Sequence, residues 1–423
     1  MDAAVLEVLG LVREQAWLAD RALEVVLRRQ KRLYSVERRA AAEAVYGVLR
    51  SQGRIEWILG RRAAIAELYA AALASPGGIP QGEAERRLGL QRGVLAPLSG
   101  GEARIQAIQD PVARLGVEGS LPPWLAERLV AEMGLEEARA FSAAVNVRAP
   151  LTVRANLLKG TRDDLRIRLE EEGVESKETP LSPWGLVLDG HANAFGLDAF
   201  KAGLFEVQDE GSQLIALACG ARSGMKVVDA CAGAGGKTLA LAAEMRNRGV
   251  LLALDVDADR LDEARRRARR AGVDNLRTKA LPPGAEADDA LRDEEGKADV
   301  VLVDAPCSGL GTLRRKPDAR WRLGPADPGR FAETQRGLVQ RFSRLVKPGG
   351  RLVYATCSVA RVENEEVAAS AASLPGFAPV PLEKTLGAAV ARAAGATGNE
   401  LRLWPHRHGT DGFFVAAFER RKD

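Results

Sequence analysis

Over roughly the first 75 positions, apolar residues recur three and four apart, as in Val5, Leu6, Leu9, Val12 and Trp17 and then Leu23, Val26 and Leu27, with Ala, Arg and Glu between them. That spacing puts one apolar stripe on each helix and predicts an all-helical domain. Clusters of Gly, Pro and Ser at 75–80 and 97–101 mark loops, and SLPPW at 120–124 opens a new segment, so the helical domain is placed over 1–120. A helix over 124–134 follows, opened by prolines. The pattern then alternates: strands are expected at 151–156, 185–189 and 204–208, with a helix over 161–172 that has Thr161 as its N-cap. Linker helices and a small α/β module therefore occupy 121–208.

From 209 onward the apolar stretches become continuous and β-branched, as strands buried on both faces require. Two of them end in a cysteine: VVLVDAPCSG (300–309) carries Cys307 and RLVYATCS (351–358) carries Cys357. In open α/β sheets the residues just past such strands line the ligand crevice, so two thiols are expected to face one pocket. A third run, KVVDAC (226–231), leads into AGAGGKT (232–238) and then a helix-forming stretch over 239–245. Glycines at a strand-to-helix turn allow close approach of a ligand and leave helix N-terminal amides free. The next run, VLLALD (250–255), ends in Asp255 about 20 residues beyond the glycines, where an acid meets ribose hydroxyls in nucleotide-binding βαβ units. The set predicts an adenosine-type cofactor on a doubly wound, mostly parallel sheet.

At these residues the chain resembles the Sun/Fmu family of RNA cytosine-C5 methyltransferases that use S-adenosyl-L-methionine. The matching segments are DACAGAGGKT (229–238), DAPCSG (304–309), GTLRRKPD (311–318) with Trp321, KPGGRLVYATCS (347–358) with ENE (363–365), and GTDGFF (409–414). The resemblance implies a Rossmann-like methyltransferase domain over 209–423, preceded by a small RNA-recognition-like subdomain. ERR and neighbouring residues near 35–50 resemble the NusB-like RNA-binding domain of the ribosomal RNA subgroup. It also implies roles. Cys357 is the nucleophile that adds to carbon 6 of cytosine, Cys307 helps remove the carbon-5 proton or release the adduct, and Asp304 holds the cytosine edge near N3 and N4. The cofactor is expected to lie against Cys231, Ala232, Gly233, Ala234, Gly235, Gly236 and Lys237, with Asp255 and Asp304.

The chemistry explains the thiols. Carbon 5 of cytosine is too weak a nucleophile to attack a methyl sulfonium, and addition of a thiolate at carbon 6 turns the ring into an enamine. The reactive species is the thiolate, and an unperturbed thiol titrates near about 8.5, so the site must favour ionisation. DNA cytosine-C5 methyltransferases use a Pro-Cys cysteine instead, so a DNA enzyme acting through Cys307 is an alternative. Cys357 and the RRKP continuation speak for the RNA group. A non-catalytic RNA-binding assembly factor is a second alternative, which retention of both thiols disfavours.

Two departures from the family pattern concern the cofactor. RTKALPPG (277–284) lacks the aspartate expected to meet the adenine amino group, leaving Asp288 or Asp289 as substitutes, and Ala234 stands where proline is usual. Among the other candidates, Arg314, Arg315, Lys316 and Trp321 form a basic, aromatic stretch suited to phosphates and a base, and the resemblance supports RNA binding there. Arginines at 260–270 are interleaved with acids as on a solvated helix face, while Arg28, Arg29, Lys31, Arg32, Arg38 and Arg39 suit either such a face or RNA contact. Cys219 reads as core and His406 and His408 have no assigned role.

Composition changes the picture little. The net charge of +4 over 423 residues is only weakly basic. Four cysteines without a CxxC pair argue against a zinc cluster or a disulfide framework. An acidic start and the lack of an uncharged apolar run of roughly 18 residues argue against a signal peptide or membrane span. A cytoplasmic, metal-free, monomeric enzyme with ribosomal RNA as partner is expected.

Overall fold

The structure, a computed structural model, describes residues 1–75, 77–189 and 192–422. It divides into two compact units, Met1–Arg148 with Thr312–Pro325, and Ala149–Gly311 with Ala326–Asp423.

The first unit is helical. Helices Asp2–Glu14, Ala19–Arg29, Ser35–Leu59 and Ile65–Leu73 turn the apolar stripes read from the sequence onto one core of Val5, Val8, Leu9, Leu23, Val26, Val45, Leu49 and Leu68. Arg38 is neither a solvated residue nor an exposed basic one: its guanidinium donates to the carbonyls of Leu27 (2.5 Å), Gln30 (2.9 Å) and Leu33 (2.9 Å), closing the end of the second helix. Helices Pro123–Met133 and Leu135–Val145 also belong to this unit, which runs on past residue 120 to Arg148.

The second unit begins with a four-stranded antiparallel sheet of β1 (Leu151–Ala155), β2 (Ser176–Glu178), β3 (Gly185–Leu188) and β4 (Phe205–Val207), in the order β2-β3-β1-β4. Helix Arg162–Glu171 packs on it, and Thr161 caps that helix by accepting from the Asp164 amide while Asp164 accepts in return. The polar three-residue β2 carries no hydrophobic pattern and was not expected.

The larger sheet contains β5 (Lys226–Asp229), β6 (Val250–Asp255), β7 (Leu276–Ala280), β8 (Ala298–Asp304), β9 (Val346–Thr356), β10 (Phe377–Pro379), β11 (Glu400–Leu403) and β12 (Phe413–Arg420). Its order is β10-β12-β9-β8-β5-β6-β7, with β11 on β12. Strands β9, β8, β5, β6 and β7 are mutually parallel, while β12 lies antiparallel to β9. Val227, Val300, Leu302 and Val353 face one apolar layer, and Val228, Val301, Val303 and Leu352 the other. Both layers are closed by helices, which is why these strands read as continuous apolar runs. The chain order reverses between β5 and β8, the switch point at which an open sheet leaves a crevice past its carboxyl ends.

Candidate active site

Strands β8 and β9 pair in parallel with Asp304 opposite Ala355, so the loops that leave them emerge side by side. Cys307 and Cys357 consequently meet, Sγ to Sγ, at 3.2 Å. Each cysteine is followed by a serine, and those serines also meet, Ser308 Oγ to Ser358 Oγ at 3.0 Å. The Cys357 carbonyl accepts from Gly311 N at 2.9 Å, and the Gly311 carbonyl accepts from Gly412 N at 2.8 Å. A Cβ on Gly311 would lie 2.1 Å from the Gly412 carbonyl oxygen, so this approach requires glycine.

Lys237, from the first turn of helix Gly236–Glu244, reaches across to Asp304, with Nζ donating to Oδ2 at 2.6 Å. Burial works against the ammonium, but the charge and hydrogen bond of Asp304, with the nearby Cys357 sulfur, outweigh it and hold the Lys237 pKa above the usual lysine value. The hydrogen bond to Cys357 is the first cause that pushes the Cys307 thiol well above its ordinary value. Burial comes next, then the charges of Cys357 and Glu363. The two sulfurs are within hydrogen-bond distance, and either could supply the hydrogen. The other two cysteines are inert. Cys219 is fully buried and bonded to the Ile215 carbonyl, and burial drives the Cys231 thiol far upward.

On the other flank, the glycine loop turns through positive φ at Gly233 (+52°) and Gly235 (+83°). Gly233 N donates to Asp255 Oδ2 at 2.7 Å, tying the loop to the end of β6. Beneath it Asp229, buried, accepts from Thr238 Oγ1 at 2.7 Å through Oδ2, while its Oδ1 has no partner. Burial is the main reason its pKa rises to about 6. A Cβ on Gly236 would meet nothing within 4 Å. Open space at a helix N-terminus, a flexible glycine turn and a strand-end carboxylate fit an adenosine-type cofactor with a charged tail. Asp288 and Asp289, the substitutes expected for the adenine contact, are both engaged in ion pairs, with Arg341 at 2.9 Å and Arg292 at 2.5 Å.

Several expected surface groups turn inward. Arg267 donates to Glu206 on β4 (2.9 Å) and to the Ala234 carbonyl of the glycine loop (2.8 Å), and Arg270 lies 3.8 Å over the Phe200 ring. Only the neighbouring Arg260, Arg265 and Arg266 form the exposed ion pairs of a solvated face. In the basic stretch, Arg314 is buried and Trp321 is committed to packing: its indole N–H donates to the Leu49 carbonyl (2.8 Å) and its ring abuts Gly53, where a Cβ would come within 2.5 Å. Arg320 is fully buried, donating to Gly119, Ser120 and Asn146, and burial pushes its pKa down to about 9. Arg315 is half-buried and Lys316 exposed. His408 is structural, its Nδ1 accepting from Trp404 N at 2.9 Å. Among the described residues no group of His, Cys, Asp and Glu could hold a metal, and no helix is long and apolar enough to cross a membrane.

Sequence reasoning missed the polar layer behind the thiols, which is built from Ser308, Ser358, Glu363, Gln335 and Tyr354. Its signal was present in the serine after each cysteine and in the ENE segment.

A parallel sheet with a glycine turn past one strand and paired thiols past two others defines a Rossmann-like methyltransferase. Comparison with known proteins narrows this. Residues 216–419 match the family model described as 16S rRNA methyltransferase RsmB/F, and residues 121–194 match its ferredoxin-like domain. The chain is 35% identical to a probable ribosomal RNA small subunit methyltransferase B of Bacillus subtilis strain 168, over 76% of this chain and 71% of the relative. It is 31% identical to a mouse 28S rRNA (cytosine-C(5))-methyltransferase, over 79% of this chain and 43% of that protein. The solved structure of PH0851 superposes with a TM-score of 0.79 at 28% identity, covering 98% of this chain and 97% of that one. The chain belongs to the RsmB/F family of RNA methyltransferases.

Proposed function

We propose that this enzyme transfers a methyl group from S-adenosyl-L-methionine to carbon 5 of a cytidine in small-subunit ribosomal RNA, through a covalent bond between Cys357 and carbon 6. The observation that carries the reading is the 3.2 Å contact between the Cys357 and Cys307 sulfurs, beside the Lys237–Asp304 pair. When bound, the cofactor supplies an electrophilic methyl on its sulfonium, held by the loop Cys231, Ala232, Gly233, Ala234, Gly235 and Gly236 with Asp255.

In this scheme the Cys307 S–H and the Lys237 ammonium favour the ionised form of Cys357, which adds to carbon 6. Asp304 gives one oxygen to Lys237 and the other to the cytosine edge, supporting the proton that N3 gains as the ring is attacked. Cys307, released from its bond to Cys357 once that sulfur is alkylated, gives its own proton to solvent and as the thiolate accepts the carbon-5 proton; the carbon-6–sulfur bond then breaks, N3 returns its proton to solvent and Cys357 leaves as the thiolate. The Glu363 carboxylate, bonded to the Ser308 amide next to Cys307, disfavours ionisation of that thiol, which supports Cys357 as nucleophile and with it an RNA rather than a DNA substrate. Arg315 and Lys316 are the groups of the basic stretch proposed to meet phosphates; Arg314 and Trp321 support them from within. Free thiols in contact suit a reducing cytoplasm.

Incubating the protein with ribosomal RNA and cofactor and running a denaturing gel tests the scheme. A Cys307→Ala variant should accumulate a denaturant-resistant protein–RNA band, and Cys357→Ala should form none. A band that persists in Cys357→Ala would overturn the assignment.

A further inference from the structure

We infer that Glu363 is a positioning residue that clamps the two cysteine loops to one another and fixes the separation of their sulfurs; this rests on the roles proposed above for Cys357 and Cys307. Glu363 is fully buried, yet it meets neutral donors from both loops. Its Oε1 accepts from the Ser308 amide (2.8 Å) and Gln335 Nε2 (3.1 Å), and its Oε2 from the hydroxyls of Ser308 (2.5 Å) and Ser358 (2.6 Å). Ser308 directly follows Cys307 and Ser358 directly follows Cys357, so one carboxylate holds the residue next to each thiol.

The clamp is itself anchored. Gln335 Nε2 also donates to the Pro306 carbonyl (3.0 Å), the residue before Cys307, and its Oε1 accepts from Tyr354 OH (3.0 Å). The same hydroxyl of Tyr354, on β9, also lies against the Glu363 carbonyl, its single hydrogen serving one of the two acceptors at a time, and Asn364 donates to the Ser358 carbonyl (3.0 Å). A buried network of this kind restrains its members, and loss of one of them leaves buried groups without partners. The position of Glu363 also has an electrostatic consequence. Its charge, after the Cys357 contact and burial, adds to what disfavours ionisation of Cys307. The ionisable groups that bear on Cys307 are Cys357, Glu363 and Tyr354.

The test is Glu363→Gln, which keeps the shape and removes the charge and part of the accepting capacity. Three readouts are compared with the wild type: cofactor affinity, single-turnover methyl transfer to RNA, and the pH midpoint of Cys307 alkylation by iodoacetamide, followed by peptide mass spectrometry. The expected result is unchanged affinity, a methyl-transfer rate lower by about tenfold or more, and an alkylation midpoint moved to lower pH. A purely structural role would not move that midpoint in a folded variant. Unchanged rate and unchanged midpoint overturn the inference. Should Glu363→Gln fail to fold, Ser358→Ala and Ser308→Ala must each lower the rate at unchanged cofactor affinity, and wild-type rates in both overturn it. If Cys307→Ala accumulates no covalent adduct with RNA, it is the proposed function that falls, whereas a normal adduct in that variant with an indifferent Glu363→Gln removes only the clamp.

Discussion

Glu363, behind the thiols, and Asp229, beneath the glycine loop, are both buried carboxylates of the same crevice, but their oxygens meet different company. Glu363 takes donors on both oxygens from two loops and a helix. Asp229 has Thr238 on one oxygen and nothing on the other. The thiol flank is therefore held by partners within the protein, with its two sulfurs already in contact. The cofactor flank carries an orphaned acceptor and open space at Gly236, the state of a binding surface whose last partners come from outside.

Breaking the thiol flank should have the largest effect. Cys357→Ala is expected to lower single-turnover methyl transfer by on the order of 10⁴-fold or more, measured with labelled cofactor, while cofactor affinity by calorimetry stays as in the wild type. Substantial residual transfer would mean that the two flanks are not divided as described.

The cofactor flank is probed by Asp229→Asn. An acid whose folded pKa is raised favours the folded state only while protonated, so its contribution is present below the ordinary value of 3.8 and lost as the pH climbs through about 6. At neutral pH the ionised carboxylate is a cost of at most about 3 kcal/mol, at roughly 1.4 kcal/mol per pH unit between the two values. Asp229→Asn should resist guanidinium better than the wild type at pH 7, with the advantage closing towards about pH 4. Asp304, Lys237 and Asp255 share that environment and set how much of the effect survives. An advantage that does not depend on pH would show that burial of the charge is not the cause.

Gly235→Ala sharpens the same side. A side chain there would be held at φ +83°, with its Cβ 2.9 Å from that of Ala264. The conformation costs about 1–2 kcal/mol, and thermal melting with and without cofactor should register both a lower midpoint and weaker binding. The smallest change is expected from Lys316→Ala, on an exposed side chain of the basic stretch. RNA affinity should fall modestly and the salt dependence of binding should flatten by about one charge, with unfolding of the helical unit unaltered.

The crevice was legible in the sequence because its placement follows from local rules. Runs such as 300–304 and 351–356 can only be strands buried on both faces, and a parallel sheet delivers whatever follows them to one edge. Cys307, Cys357 and the 232–238 turn were found in this way. The destinations of the arginines were not legible. Arg38, Arg267 and Arg320 look alike in a row of letters, and each guanidinium went wherever carbonyls or a carboxylate needed a donor. For Arg320 those partners lie at 119, 120 and 146, and for the adjacent Trp321 at 49.

Hydrophobic periodicity and turn chemistry, properties of neighbouring residues, thus sufficed to determine the class of sheet, the glycine turn and which strand ends bear thiols. Tertiary structure alone decided that the two sulfurs touch, that burial and neighbouring charge disfavour ionisation of Cys307, and that a glutamate several residues further on joins their loops. Contact distance, burial and the field of a neighbouring charge depend on segments that meet only after folding, and no pattern confined to one segment encodes them.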